Sequence, residues 1–155
     1  MKIKIIWPGK TKDKNLKSLE QYYLKKINQF ISCQVIETKE AKGIKEKFIE
    51  KIKEKESQAL ENYLQDNYII CLTEKGEEMT SFEFAKFLEK LSISSLKEIA
   101  FIIGGYAGLD ERIIKRANFL LSLSKMTFPH ELSRIILLEQ IYRALSIIRG
   151  RKYAK

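Results

Sequence analysis

Ile99-Ala-Phe-Ile-Ile-Gly-Gly-Tyr-Ala-Gly-Leu109 is the stretch on which the fold turns. Residues 99 to 103 are apolar without alternation and too few for a helix, so they predict a strand covered on both faces. Three glycines in the next five positions end that strand in a tight turn. A strand covered on both faces needs helices above and below its sheet. That points to an α/β fold built from crossover units.

The flanking sequence supplies the units. Short apolar runs at 3–7, 33–38, 68–72 and 119–123 predict further strands, and 68–72 is again apolar throughout. Between them, Leu16, Leu19, Tyr23, Ile27 and Phe30 recur at helical spacing, as do Ile44, Phe48, Ile52, Ala59 and Tyr63. Thr80-Ser-Phe-Glu83 offers a capping box for a third helix through Phe84, Leu88 and Leu91. A final helix follows Pro129 to about residue 148, with Leu132, Ile135, Leu138, Tyr142 and Leu145 as its inner stripe. The expectation is one domain over 1–155, a mostly parallel sheet of about five to six strands with helices on both faces and a basic tail, 149–155. The helix near 44–65 is expected to be its most mobile element. Ligands in such sheets bind beyond the carboxyl ends of the strands. Loops 73–79, 104–109 and 124–129 are therefore the candidate site.

Composition narrows the classes. A chain of 155 residues, 45% of them hydrophobic, can bury a core without disulfides or metals. No run approaches the roughly 20 apolar residues of a membrane span, and Met1-Lys-Ile-Lys-Ile-Ile-Trp7 lacks a signal-peptide pattern. A cytoplasmic protein with no membrane partner is expected. Cys33 and Cys71 sit singly in apolar segments and His130 is the only histidine, so buried thiols and no metal are expected. The net charge of +9 has a local focus, because the last seven residues hold Arg149, Arg151, Lys152 and Lys155 and no acid. Every arginine lies at or after position 112. A guanidinium forks onto phosphate better than an ammonium does. The region is either a nucleic-acid face or a basic tail kept for solubility.

Three motifs could carry chemistry. The glycine segment 104–108 either serves a turn or lets a flat or anionic ligand approach backbone amides. Its spacing is neither a dinucleotide fingerprint nor a P-loop. Leu121-Ser-Leu-Ser-Lys-Met-Thr-Phe-Pro-His130 combines hydroxyls and amides with Met126 and Phe128 as apolar walls, suited to an adenine or ribose edge; alternatively Ser124 or Thr127 caps the helix. His130 falls in the first helical turn, where the helix dipole disfavours its charged form, and a packing role fits it better than catalysis. In Leu138-Glu-Gln-Ile-Tyr-Arg-Ala144, Glu139 and Arg143 are spaced to pair across a turn. No Gly-x-Ser-x-Gly elbow exists, which argues against hydrolase chemistry.

Together, Ile103-Gly-Gly-Tyr-Ala-Gly-Leu109, Leu121 to His130 and Leu138 to Ala144 resemble the signatures of the RlmH family, SPOUT-class methyltransferases acting on N3 of a pseudouridine in large-subunit ribosomal RNA. The resemblance covers the whole chain and is strongest from residue 99 onward. It implies a C-terminal trefoil knot, a homodimer, S-adenosylmethionine as cofactor and rRNA of the assembled ribosome as partner. Carried over by position, it places Leu72, Gly104, Gly105, Leu123, Ser124, Lys125, Met126, Thr127 and Phe128 at the cofactor. Arg149, Arg151, Lys152, Tyr153 and Lys155 are the RNA contacts it leads us to expect, and Arg143 and Tyr153, with Lys155 beside them, the groups at the reacting base. The family's usual Tyr-His ending is Tyr153-Ala154 here. Two alternatives stay open, a non-catalytic RNA-binding protein of the same fold and a SPOUT methyltransferase with another RNA target. Of the apolar positions on the last helix, Ile135, Ile136 and Ile141 are expected at the dimer interface.

Overall fold

The structure, a computed structural model, describes residues 1–153; Ala154 and Lys155, with the expectations attached to them, lie outside the described residues. Five strands, β1 (Lys2–Pro8), β2 (Cys33–Thr38), β3 (Tyr68–Glu78), β4 (Glu98–Ile102) and β5 (Phe119–Ser122), form one sheet in the order β2-β1-β4-β3-β5. Every neighbouring pair is parallel. The connections carry α1 (Lys14–Ile27), α2 (Ile49–Glu61), α3 (Ser81–Ile93) and α4 (Glu111–Ile114), and α5 (His130–Ile148) follows the last strand.

Side-chain alternation divides the core in two. Ile3, Ile5, Trp7, Ile70, Ile99, Phe101 and Leu121 pack with residues of α1, α3 and α5. Ile6, Ile69, Cys71, Ala100 and Ile102 pack with Leu60 of α2, Leu64 and Ile113 of α4 on the other face. β4 and the first half of β3 are covered on both sides, which is why their sequences show no polar alternation. Burial pushes the thiols of Cys33 and Cys71 up to about 12, so neither ionises near neutral pH.

Local signals account for several boundaries. The Asp13 side chain caps α1 by accepting from the amides of Asn15 and Leu16. Thr80 and Glu83 form the expected reciprocal capping box on α3.

Four expectations need correction. The span 73–78 is not a loop: β3 runs on to Glu78, and past an irregularity at Leu72/Glu77 it meets β5 again, so that Leu121 partners both Leu72 and Glu77. Its polar sequence hid this, but a Cβ on Gly76 would stand 2.7 Å from the Leu120 carbonyl, so the side-chain-free residue lets two backbones close. Helix α2 begins at Ile49 rather than near residue 44, because Gly43 has a positive φ and Phe48 at the N-cap supplies no side-chain acceptor. A short helix, α4, capped by Asp110, stands where no helix was expected. Finally, Ile135 and Ile141 are buried inside the subunit, leaving only Ile136 of the three with an open face.

Candidate functional site

The carboxyl ends of β3, β4 and β5 open onto one cleft of about 140 Å³. Of the nine positions carried over from the resemblance, Leu72, Gly104, Leu123, Ser124, Met126 and Phe128 line it. Gly105, Lys125 and Thr127 do not. Thr73, Glu74, Ile103, Gly108, Leu109, His130 and Ser133 complete the wall. Thus the cleft is apolar on several sides, with the hydroxyl residues Thr73, Ser124 and Ser133 and the acid Glu74 among its lining. Met126, 76% exposed, stands at its edge as an uncovered apolar flap. A cleft this small is below the ~300–1,000 Å³ of typical small-molecule sites.

One wall is a turn closed on itself. Gly108 donates its N–H to the Gly105 carbonyl at 3.0 Å, and Gly108 has φ of +81°, a region that favours glycine. A Cβ on Gly104 would stand 2.6 Å from the Gly108 carbonyl carbon. Both glycines are therefore required by the turn itself. Their backbone, with no side chain in front of it, faces the cleft.

The opposite wall leads into α5, and its anchorage was not legible as a site. Arg134 is fully buried, stacks over Trp7 at 4.6 Å, donates to the Pro8 carbonyl at 2.7 Å and reaches Thr11 Oγ1 at 3.0 Å. Glu131 accepts from the amides of Lys12 and Asp13. The start of α5 is thereby fastened to the loop after β1, across the ends of β3 and β4. Two signals pointed to this, Trp7 at the end of an apolar strand and an arginine amid the apolar stretch of α5. His130 sits one turn before Arg134 and touches the cleft. Burial, then the Arg134 charge, holds its imidazole below the usual histidine range, so at neutral pH it is uncharged.

The remaining predicted residues gather elsewhere. Arg143 donates to Glu139 Oε1 through Nε at 2.9 Å and Nη2 at 2.6 Å, as the spacing implied. Its guanidinium lies 4.5 Å over the ring of Tyr153, which also meets Tyr142 edge-on at 4.9 Å. Gly150, at φ of +66°, turns the chain back, and Arg151 lies over Phe30 at 5.0 Å. The tail packs through Tyr153 against Arg143 and Tyr142 of its own α5, with Arg149, Arg151 and Lys152 exposed. Burial, then Tyr23 and Glu139, raise the Tyr153 phenol, so it keeps its proton and can donate a hydrogen bond. Arg143 is thirteen residues beyond His130 on α5, about 20 Å at ~1.5 Å per residue. Within one subunit the cleft and the tail cluster are separate.

Comparison with known proteins identifies the family of the chain. A family model described as "Predicted SPOUT methyltransferase" matches residues 1–154. The ribosomal RNA large subunit methyltransferase H of Clostridium kluyveri is 44% identical over 161 residues, covering all of both chains. The protein of the same name from Clostridium beijerinckii is 42% identical over 159 residues, again covering both completely. Among solved structures, the tRNA (m1G37) methyltransferase of Aquifex aeolicus aligns with a TM-score of 0.53 at 16% identity, covering all of this chain and 75% of that one. That likeness concerns the fold.

Proposed function

The chain belongs to the SPOUT methyltransferase family, and we propose that it transfers a methyl group from S-adenosylmethionine to N3 of a pseudouridine in large-subunit ribosomal RNA. The observation that carries this reading is the cleft of Leu72, Gly104, Leu123, Ser124, Met126 and Phe128, where bare glycine backbone faces apolar walls at the strand ends. The full-length relatives named for large-subunit rRNA supply the substrate. A flat adenine fits between Leu72, Leu109 and Phe128, and backbone amides of the glycine turn and the 123–128 loop suit its edge and the ribose. When bound, the cofactor supplies an electrophilic methyl group.

The protein's part is to hold the base and its charge. An imide N3 that loses its proton spreads negative charge onto two flanking carbonyl oxygens. Arg143 and the protonated Tyr153 are a cation and a hydrogen-bond donor of the kind that stabilises such an anion. Arg143 stands ten residues beyond Ser133, the last residue of α5 that lines the cleft, about 15 Å of helix rise, so in the proposed site the tail cluster of one subunit meets the cleft of its partner. On α5, Ile136, Gln140, Arg143 and Ile147 fall on one partly open stripe beside the exposed Phe82, and pockets next to this stripe adjoin both Leu123 and Tyr153. An isologous dimer packed on that stripe covers it and joins the two half-sites. The exposed cations Arg149, Arg151 and Lys152 then meet rRNA phosphates. The trefoil knot belongs to the same reading and rests on membership of the family.

Ribosomes from a strain lacking the modification, incubated with the protein and labelled cofactor, should gain one N3-methylated pseudouridine in large-subunit rRNA, read by mass spectrometry of the nucleosides. Cofactor binding without transfer to any RNA would favour a non-catalytic binding protein. Transfer to another RNA would keep the enzyme and reject the substrate.

A further inference from the structure

Among the described residues, four buried side-chain atoms lack a hydrogen-bond partner: Trp7 Nε1, Thr38 Oγ1, Glu56 Oε1 and Arg134 Nε. One of them bears on the cofactor cleft. Glu56, in the second half of α2, is only 6% exposed, and its Oε2 accepts the N–H of Ala41 at 3.1 Å. Its Oε1 stands 2.8 Å from the place a Cβ on Gly105 would occupy. Gly105 in turn accepts the Gly108 N–H, so this carboxyl backs the same turn whose front lines the cleft. Burial raises the Glu56 carboxyl, opposed by its bond from Ala41. A buried oxygen without a partner is unfavourable by itself, and packing alone would be served better by an apolar side chain. Gly105, which does not line the cleft, is bare on the side that meets Glu56.

We propose that Glu56 is a positioning residue of the cofactor site: wedged between the Ala41 amide and the Gly105 backbone, its carboxyl fixes the glycine turn in its binding conformation. The proposal rests on the cofactor reading above. Glu56 touches neither cofactor nor base in this account and acts only through the turn. It also ties the cleft to the connection between β2 and α2, which holds Ala41.

The test is a double-mutant cycle on affinity for S-adenosylhomocysteine, measured by calorimetry. Glu56→Ala should weaken binding about tenfold by freeing the turn, and Gly105→Ala by about as much by pushing against the carboxyl. The double variant should bind no more weakly than Gly105→Ala alone, because the new methyl group takes the vacated space. Glu56→Gln, which keeps the shape and the acceptor for Ala41, should stay within about threefold of wild type. With saturating cofactor, the Glu56→Ala enzyme should recover most of its kcat, its defect residing in the cofactor KM. Fluorescence of Trp7, the single tryptophan, checks that each variant is folded, and Glu56→Ser can replace Glu56→Ala where folding suffers. Additive losses, or wild-type affinity in Glu56→Ala, would overturn the proposal. A wild-type protein that binds no S-adenosylhomocysteine would overturn the cofactor reading, and this inference with it.

Discussion

Gly104→Val should abolish cofactor binding while the protein remains folded. The new Cβ would stand 2.6 Å from the Gly108 carbonyl carbon, with the Gly108 Cα and oxygen at 2.9 Å. Those are backbone atoms, fixed by the Gly108 to Gly105 hydrogen bond, so no rotamer change relieves the contact. The turn must open instead, and its backbone leaves the wall of the cleft. The strands beneath pair through residues 98–102 and lose nothing directly. The expected result is a loss of affinity for S-adenosylhomocysteine of roughly a hundredfold or more, with thermal unfolding still cooperative. The overpacking costs about 1–3 kcal/mol of stability. Near-wild-type affinity would show that the glycine turn is not the cofactor wall.

Deleting residues 149–155 should have the opposite profile, with cofactor affinity nearly unchanged and methyl transfer to ribosomes lost by roughly a hundredfold or more. The deleted segment holds Arg149, Arg151, Lys152 and Tyr153, none of which lines the cleft. It also removes the Tyr153 ring from its contacts with Arg143 and Tyr142, so the cation and the donor proposed to face the base are misplaced or gone. Tyr153→Ala is a milder form of the same defect, since the arginines still meet phosphate. Binding of the truncated protein to ribosomes should weaken and lose part of its salt dependence. Transfer at the wild-type rate would remove the tail from the site.

The fold was readable where burial leaves a period or a run. Ile99 to Ile103 is apolar because helices cover both of its faces, and the five strand positions follow from the same logic. Capping chemistry placed the start of α3 at Thr80. What escaped had a tertiary cause. The continuation of β3 through Thr73-Glu-Lys-Gly-Glu-Glu78 is polar, and it is a strand only because Gly76 admits the β5 backbone. The apolar surplus of α5 suggested a subunit interface at Ile135 and Ile141, but Ile141 packs in the core with the sheet, α1 and α3, and Ile135 is buried within the subunit too.

The site divides along the same line. Loops after strands can be located from sequence, and all three expected spans contribute to the cleft, 73–79 through Thr73 and Glu74 of the continued strand β3. Which residues of a loop line the cleft depends on its closure, so Gly108 lines it without having been among the expected contacts, while Gly105, Lys125 and Thr127 are not part of its lining. The partners that Arg134 and Glu56 bind could not be read from sequence, because they lie 123 and 15 positions away in the chain. The distance between Arg143 and the cleft also needed the structure. On the proposed reading, that separation leaves a single subunit without a complete site.

Mixed dimers test this directly. The Gly104→Val and 149–155 deletion variants, each inactive alone, are co-expressed in equal amounts and assayed for methyl transfer to ribosomes. If each site takes its cofactor cleft from one subunit and its tail from the other, heterodimers contain one intact site of two. Activity should then return to about a quarter of wild type, the statistical yield for random pairing of subunits in an isologous dimer. A mixture as inactive as its parents, with heterodimers demonstrably present, would contradict the shared site.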